Sequence, residues 1–179
     1  MGTLAIGVDV GGTHVLAVLM DPSGCIHARH EAKLAAEDRS SQQKIVAVIG
    51  SCIAQCWRHA REHLAERLPI GGVGVAVPGN VDPAAGTARY LPNFGWLEPV
   101  DLTARLLELP APELADGADK ASTLGGALGL GREGVHLRND GRCAALAERH
   151  FGVGAGGEHG VMAMLTLVSP PYAYRYPYP

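Results

Sequence analysis

The sequence predicts a mixed α/β fold built around a sheet with both antiparallel and parallel strands. Two aliphatic segments, 4–10 and 15–20, flank a Gly-Gly pair and predict a hairpin. A helical pattern follows, and the entirely apolar run 72–77 then predicts a strand that is buried on both faces of a sheet. Strands before a helix and a returning strand after it are typical of half of an α/β domain.

The elements of the first half are well marked. The turn signal 21–24 separates the hairpin from a third antiparallel strand, 25–34. Ser40 and Ser41 can cap a helix that extends to about residue 68 and ends before Pro69. The apolar residues at helical spacing are Ile45, Ile49, Cys52, Ile53, Cys56, Ala60 and Leu64. Because both cysteines belong to this stripe, we expect them in the core rather than on a metal.

The second half has weaker signals. We expect a strand over 87–91, a helix from Asp101 to Glu108 and a glycine-weakened helical stretch over 118–131. A strand over 135–137 leads into a helix that Asp140 opens and that continues to Phe151, and 161–168 predicts one more strand. The Pro-, Ala- and acid-rich segment 110–117 is interpreted as a domain boundary. The predicted parts are an N-terminal lobe 1–112, a partial second lobe 113–168 and a disordered Tyr/Pro-rich tail 169–179.

Composition excludes several functional classes. With 47% apolar and 18% charged residues, the chain is globular rather than wholly disordered. A net charge of -3 argues against a nucleic-acid-binding surface, which needs clustered Lys and Arg. No apolar run approaches the ~20 residues that cross a bilayer. The first strand begins without a signal peptide before it, so we expect a cytoplasmic protein. The cysteines form no CxxC pair and the eight histidines are expected to be scattered without a metal-binding H-x-x-x-H pair, so we expect no structural metal.

The hairpin sequence Asp9-Val10-Gly11-Gly12-Thr13-His14 is the first motif that predicts chemistry. Two glycines suit a tight turn because each takes positive φ at little cost. A loop without side chains also exposes backbone N–H groups to a closely approaching anion. Asp9 offers a carboxylate for a cation-bound water, and Thr13 offers a hydroxyl. The motif predicts either a phosphate-binding hairpin or a plain Gly-Gly turn, and it lacks the Lys-Ser/Thr of a Walker A loop.

A second motif, Asn139-Asp140, lies where a predicted strand passes into a helix. A carboxylate at this position can accept the proton of a hydroxyl that attacks phosphorus. Asn139 carries both donors and an acceptor, which suits binding a polyol. Helix capping alone would also explain Asp140, because Asp is a preferred N-cap residue. The later run 152–157 fits G-x-G-x-x-G by letters, but it follows a helix and is interpreted as a helix end and loop.

Four segments in this order resemble the ROK family of bacterial sugar kinases and related transcriptional repressors. They are the hairpin 9–13, Gly74-Val75-Ala76-Val77-Pro78-Gly79, Pro92-Asn93-Phe94-Gly95-Trp96, and Asn139-Asp140 with 143–148 and 151–152 behind it. The resemblance extends over roughly residues 4–167. It implies an actin-like ATPase (ribonuclease H-like) fold of two lobes, with a sugar bound in the cleft between them.

The resemblance also implies a site. The implied nucleotide-binding residues are Asp9, Gly11, Gly12, Thr13 and His14, and the implied sugar-binding residues are Gly79, Asn93, Asn139 and Asp140. Asp140 would be the general base that activates the attacking hydroxyl. His14 stands where the family often has Lys or Asn, which would change the phosphate contact modestly. ATP and Mg²⁺ are the implied cofactors, with Mg²⁺ neutralising the phosphate charge.

The end of the chain departs from the family pattern. After residues 162–167 the family continues with a second phosphate loop, a further sugar-binding segment, a zinc motif and the adenosine pocket, whereas a Tyr/Pro tail stands here. We therefore expect a truncated chain with no zinc. The first hypothesis is an ATP-dependent hexose kinase of the glucokinase type. The alternatives are a non-catalytic sugar-binding or regulatory relative and an inactive fragment.

The expected partners follow from these hypotheses. A small-molecule sugar and ATP are expected, with neither nucleic acid nor membrane. Exposed strand edges of a truncated sheet would permit a homo-oligomer.

Overall fold

The computed structural model describes residues 3–64, 68–111 and 123–152. The strands are β1 (Leu4–Val10), β2 (His14–Met20), β3 (Ile26–Lys33), β4 (Ile70–Val77), β5 (Asn80–Asp82), β6 (Thr87–Tyr90), β7 (Val100–Asp101) and β8 (Val135–Asn139). The helices are α1 (Gln42–His63), α2 (Leu102–Leu107), α3 (Leu124–Leu128) and α4 (Asp140–Phe151). The predicted α/β class is confirmed. A first compact unit ends at Asp140, and a second begins at Gly141 within α4.

A five-stranded sheet in the order β3-β2-β1-β4-β8 forms the centre of the first unit. The strands β1, β2 and β3 pair antiparallel through two short turns. The strand β4 returns parallel to β1, and β8 is parallel to β4. As a result, β1, β4 and β8 all end at the same edge of the sheet. This edge carries both motifs that the sequence singled out.

One face of the sheet is covered by α1. Alternate residues of β1 and β2 are buried, as period-2 side-chain alternation requires. The facing stripe of α1 is buried too, including Ile45, Ile49 and Ile53. The Ser41 hydroxyl caps α1 by accepting from the Lys44 backbone N–H at 3.4 Å. Removing this apolar surface from water stabilises the unit by about 25 cal/mol per Å².

The helix α1 ends at His63, earlier than the predicted residue 68. Leu64 already has extended backbone, with φ -87 and ψ 127. The cause is the sheet, because the Leu4 N–H donates to the Pro69 carbonyl at 2.9 Å and β4 starts at the next residue. The chain must therefore leave the helix before Pro69 to reach its place beside β1.

The cysteines of α1 lie in the core, as predicted. Cys52 is 3% exposed and Cys56 0% exposed. Burial, with a smaller contribution from Cys52, raises the pKa of the Cys56 thiol to about 12, so this thiol stays protonated and unreactive at neutral pH. The Cys52 thiol also faces the Val15 carbonyl, with Sγ and O 3.8 Å apart.

The strands β5, β6 and β7 form a small second sheet, which the sequence patterns predict only in part. Only β6 was predicted, because β5 and β7 have three and two residues and are too short to show a period. The predicted cap of α2 is confirmed, since the Asp101 carboxylate accepts from the Ala104 N–H at 2.9 Å. Arg132 pairs with the same carboxylate at 2.9 and 3.1 Å.

Several predictions in the second half have different outcomes. The helix α3 ends before the predicted residue 131 because Gly129, at φ +68, follows it, and residues 118–122 of that prediction lie outside the described residues. The strand β8 and the start of α4 agree with their predictions. The predicted strand 161–168, the loop 152–157 beyond its first residue and the tail 169–179 lie outside the described residues. The division into lobes at 112–113 stays a prediction, and β8 joins the main sheet of the first unit.

The outer strand β3 is rich in charge. Arg29, Glu31 and Lys33 alternate along it, and Arg29 lies 3.7 Å from Glu31. Only one of its residues, Ala28, is buried. None of the helices within 3–64, 68–111 and 123–152 has the length and hydrophobicity needed to span a bilayer.

Gly79, two residues after β4, provides a test of the fold at this end of the sheet. Its φ is +107, and a Cβ there would lie 2.3 Å from the Tyr90 carbonyl oxygen, a backbone atom that cannot rotate away. We expect Gly79→Ala to lower the free energy of unfolding by at least about 2 kcal/mol, because backbone strain and the clash add. Urea denaturation measures this change.

The matched control is Gly74→Ala, on exposed β4 backbone with ordinary φ, where an added Cβ would have no atom within 4 Å. This substitution should change the free energy of unfolding by less than about 1 kcal/mol. Equal effects of the two substitutions would contradict the close approach of Gly79 to the Tyr90 backbone.

Candidate active site

The shared edge of β1, β4 and β8 brings two carboxylates towards each other. Asp9, near the end of β1, pairs with Ala76 of β4. Val77, the last residue of β4, pairs with Asn139, and Asp140 follows directly. Asp9 and Asp140 therefore lie on either side of β4, about two strand spacings, or ~10 Å, apart along the sheet.

The electrostatics of Asp9 reflect this arrangement. Although the residue as a whole keeps an exposed surface, partial desolvation raises the pKa of its carboxyl above 3.8, and the negative charge of Asp140 raises it further. The two carboxylates therefore repel each other at this edge of the sheet. Such a pair does nothing for folding, so its presence favours a functional role.

Asn139 fixes the position of Asp140. Its side-chain amide donates to the Gly79 carbonyl at 3.1 Å and to the Asp140 Oδ1 at 2.9 Å. The first bond ties the end of β8 to the turn that follows β4, and the second orients the catalytic candidate. The side-chain amide of Asn139 therefore donates both of its hydrogen bonds within the protein. Its role in this arrangement is to orient Asp140.

The structure explains why residue 79 is a glycine, which the sequence alone did not reveal. The resemblance assigned it to the sugar, but its positive φ and the nearby Tyr90 backbone already require glycine. Its carbonyl also accepts the Asn139 bond. Contact with a sugar at Gly79 stays a prediction.

The hairpin glycines differ from the expectation. The positive-φ glycines of the described chain do not include Gly11 or Gly12, so the prediction of left-handed backbone at this turn is wrong. The turn instead closes because the Gly11 N–H donates to the His14 carbonyl at 2.9 Å. A Cβ on Gly11 would lie 3.3 Å from that carbonyl oxygen, whereas a Cβ on Gly12 would have no atom within 4 Å. Neither φ nor packing requires glycine at position 12.

The polar residues of the hairpin form a short chain. Thr13 Oγ1 lies 2.8 Å from His14 Nδ1, and His14 Nε2 lies 4.0 Å from Glu31 Oε1 on β3. The Thr13 carbonyl accepts from the Leu34 N–H at 2.7 Å, which fixes the backbone of the loop. Glu31 was not singled out by the sequence, since only strand pairing brings it near His14.

Asn93 lies apart from the strand ends in sequence, on the 3-10 turn Pro92–Phe94. Its side chain is exposed, while Phe94 beside it is 2% exposed and anchors the turn. The bridge between Leu91 and Trp96 and the positive φ of Gly95 close this loop. The loop starts at Leu91, whose Cα would lie 3.3 Å from a Cβ on Gly79.

One histidine pair was overlooked. His59 and His63 have the spacing H-x-x-x-H on α1, and their rings stack with centroids 4.4 Å apart. The expectation of scattered histidines without such a pair is therefore wrong. Among the described residues, the one grouping of three potential metal ligands lies elsewhere and consists of Asp21, Cys25 and His27.

Comparison with known proteins identifies the family. The sequence profile of the ROK family matches residues 5–113, more than half of the chain. The chain belongs to the ROK family. A glucokinase of Thermotoga maritima is 28% identical to this ROK chain over 162 residues, which are 90% of the chain and 41% of that protein. The chain thus spans less than half of the length of this curated relative.

Solved structures agree with the family. A ROK family glucokinase from Streptomyces griseus, crystallised with glucose and AMPPNP, is 25% identical with a TM-score of 0.61, over 86% of this chain and 38% of that one. A ROK hexokinase from Thermus thermophilus is 22% identical with a TM-score of 0.60, over 87% and 41%. The predicted actin-like ATPase fold is confirmed for this ROK chain.

The raised pKa of Asp9 makes a testable statement about stability. The folded state holds the Asp9 proton more tightly than the unfolded chain does, so this contribution to stability is full below the unfolded pKa and is lost as pH rises through the folded pKa. We expect Asp9→Asn to be more stable than the wild type at pH 7, with the difference disappearing near pH 3. Urea denaturation at both pH values measures it.

Two further substitutions check the cause. Asp140→Asn should lower the pKa of Asp9, observed by carboxyl NMR titration, because it removes the neighbouring charge. Asp38→Asn should bring no gain at pH 7, because the Asp38 carboxylate pairs with the Lys44 ammonium. Destabilisation by Asp9→Asn at pH 7 would contradict the proposed repulsion.

Proposed function

We propose that this chain carries the phosphate hairpin and the catalytic base of an ATP-dependent sugar kinase, which transfers the γ-phosphoryl group to a hexose hydroxyl. The observation that carries the proposal is the common sheet edge, where Asp140 directly follows β8 and the Gly11–Thr13 loop follows β1, the strand that carries Asp9. The family relatives named glucokinase and hexokinase support it.

In this mechanism the Asp140 carboxylate accepts the proton of the attacking sugar hydroxyl while that oxygen bonds to phosphorus. Asn139 holds the Asp140 Oδ1, so that the carboxylate does not have to reorganise when the hydroxyl arrives. The Asn139 amide is itself anchored on the Gly79 carbonyl, which makes the orientation a property of the sheet edge rather than of a free loop.

The hairpin binds the phosphates through its backbone. Gly12 leaves open space where a side chain would project, so phosphate oxygens can approach the N–H groups of the loop. The Thr13 hydroxyl, which lies beside the His14 ring, is a side-chain hydrogen-bond donor that the loop offers to these phosphates.

The donor set also fits Mg²⁺ bound to these phosphates. Asp9 supplies a hard carboxylate oxygen at this edge, and a cation beside it would offset the repulsion from Asp140. Asp9 would hold the ion through a bound water. When bound, the ion would neutralise charge on the transferred group.

The first test is Asp140→Asn on the 179-residue chain. A coupled assay measures ADP release in the presence of a panel of hexoses and N-acetylhexosamines. We expect the sugar-dependent rate to fall by about 10²–10⁴-fold, as for loss of a general base. Glucose affinity, measured by calorimetry, should change little, because the amide keeps the shape of the carboxylate. Asp38→Asn is the matched control and should keep full turnover.

Each outcome decides between the hypotheses. Undiminished turnover in Asp140→Asn would contradict the role of Asp140. Sugar binding by the wild-type chain without ADP release would favour a non-catalytic regulatory relative instead. Absence of binding to both sugar and nucleotide would overturn the proposed function for this chain.

A second test separates the nucleotide site from the base. Gly12→Ala should weaken nucleotide binding by at least ~10-fold, equivalent to about 1.4 kcal/mol, because its methyl group occupies the space proposed for phosphate oxygens. Thermal stability should stay at the wild-type value, since no protein atom lies within 4 Å of that methyl position. Unchanged nucleotide affinity would contradict the phosphate hairpin. Gly74→Ala, equally uncrowded, is the control.

A further inference from the structure

We infer that the turn between β2 and β3 is a binding site for a transition-metal ion of the zinc type, with Asp21, Cys25 and His27 as its protein ligands. One ligand atom from each of these residues lies within 4.8 Å of the other two. Asp21 directly follows β2, Cys25 precedes β3, and His27 is the second residue of β3. The site therefore joins the two strands across their connection.

The donor types favour zinc over magnesium or calcium. A thiolate, an imidazole nitrogen and a carboxylate oxygen together form a mixed S, N, O set, which suits borderline and soft metals, whereas magnesium and calcium take oxygen ligands. Ligand atoms around tetrahedral zinc lie about 2.0–2.3 Å from the metal, and therefore roughly 3.3–3.7 Å from each other. The three ligand atoms, within 4.8 Å of one another, would have to approach by at most about 1 Å to reach these values.

The turn already orients the carboxylate as a metal ligand. Asp21 Oδ1 accepts from the Ser23 N–H at 2.9 Å, from the Ser23 hydroxyl at 2.6 Å and from the Cys25 N–H at 3.1 Å. These bonds direct Oδ2 towards His27 Nε2, at 2.9 Å. Carboxylates that bind metals are themselves held by hydrogen bonds, and the three bonds to Oδ1 are of this kind.

The backbone of the turn is fixed as well. The Asp21 N–H donates to the Cys25 carbonyl at 3.1 Å, and the Gly24 N–H donates to the Asp21 carbonyl at 3.0 Å. Gly24 adopts φ +86, so the reversal at this position is built for glycine. Cys25 is exposed, which leaves its thiol accessible and leaves room for a water as a fourth ligand.

This site is separate from the proposed kinase site. The β1–β2 pairing runs from Ala5 opposite Met20 to Val10 opposite Val15. The Asp21–His27 turn continues from the Met20 end, and the phosphate hairpin lies at the Val10 end. The metal therefore acts on the stability of the β2–β3 connection, and its loss leaves the carboxylate pair at the other edge unchanged.

Binding has a defined chemical balance. The Cys25 thiol releases its proton to solvent and its sulfur bonds to the metal, while the neutral His27 imidazole donates the Nε2 lone pair. In the metal-free protein the same imidazole contacts the Asp21 carboxylate directly. A metal thus replaces a hydrogen bond by three coordinate bonds.

Cobalt(II) is the probe, because it reports both thiolate ligation and geometry. We expect the full chain to bind one Co²⁺ with a thiolate-to-cobalt charge-transfer band in the near ultraviolet, and Zn²⁺ to displace it. Cys25→Ser should abolish the band. Competition with a chromophoric chelator should show Zn²⁺ affinity reduced by more than about 100-fold in Cys25→Ser and His27→Gln, more than loss of an outer-shell group costs.

Ser23→Ala tests the outer shell without touching a ligand. It removes one bond to Asp21 Oδ1 and should weaken Zn²⁺ binding by about 10-fold while circular dichroism shows an unchanged fold. Excess Zn²⁺ should raise the Tm of the wild type but not of Cys25→Ser, because a ligand of the folded state stabilises it by mass action.

Cys143→Ser and His63→Gln are the matched controls, since each removes the same chemical group from a helix instead of the turn. Both should keep the band and the affinity. A band that survives Cys25→Ser, an equal loss in Cys143→Ser, or no Co²⁺ band in the folded wild-type chain would each overturn the site. None of these outcomes depends on kinase activity.

Discussion

The parallel pairing of β1, β4 and β8 is the constraint on which the rest of the structure depends. It places the carboxyl ends of three strands together, and with them Asp9, Gly79 and Asp140. The register matters as much as the order. Val8 and Val10 are buried while Asp9 between them is exposed, so a slip of one residue would bury the carboxylate in the core. Hydrophobic packing beneath the sheet thus sets the position of the charges at its edge.

The edge that carries Asp9 and Asp140 lowers the stability of the fold at neutral pH. Asp9 is held in a partly desolvated position beside another carboxylate, and the surrounding packing must offset that cost. The glycines of this edge are of two kinds. Gly79 is required by backbone geometry, whereas neither backbone φ nor packing requires glycine at position 12, where we propose that phosphate oxygens approach.

The sequence predicted those features that local patterns determine. Alternating and helical periods gave β1, β2, α1 and α4, and Asp101 was correctly predicted to cap α2. The conformation of Gly11 and Gly12 was predicted wrongly, because a glycine pair permits positive φ without requiring it. The early end of α1, the strands β5 and β7, and the contacts of Asn139 depend on partners distant in sequence, which no local pattern encodes. The Asp21, Cys25 and His27 grouping was missed because its spacing matches no common metal motif.

The charged outer strand β3 has a consequence for how the unit meets other copies of itself. An edge strand offers unpaired backbone groups that invite a strand from another molecule, and alternating Arg29, Glu31 and Lys33 oppose such docking. Intermolecular sheet extension along β3 is therefore disfavoured by the cost of desolvating these charges, which opposes fibril-like aggregation of the protein.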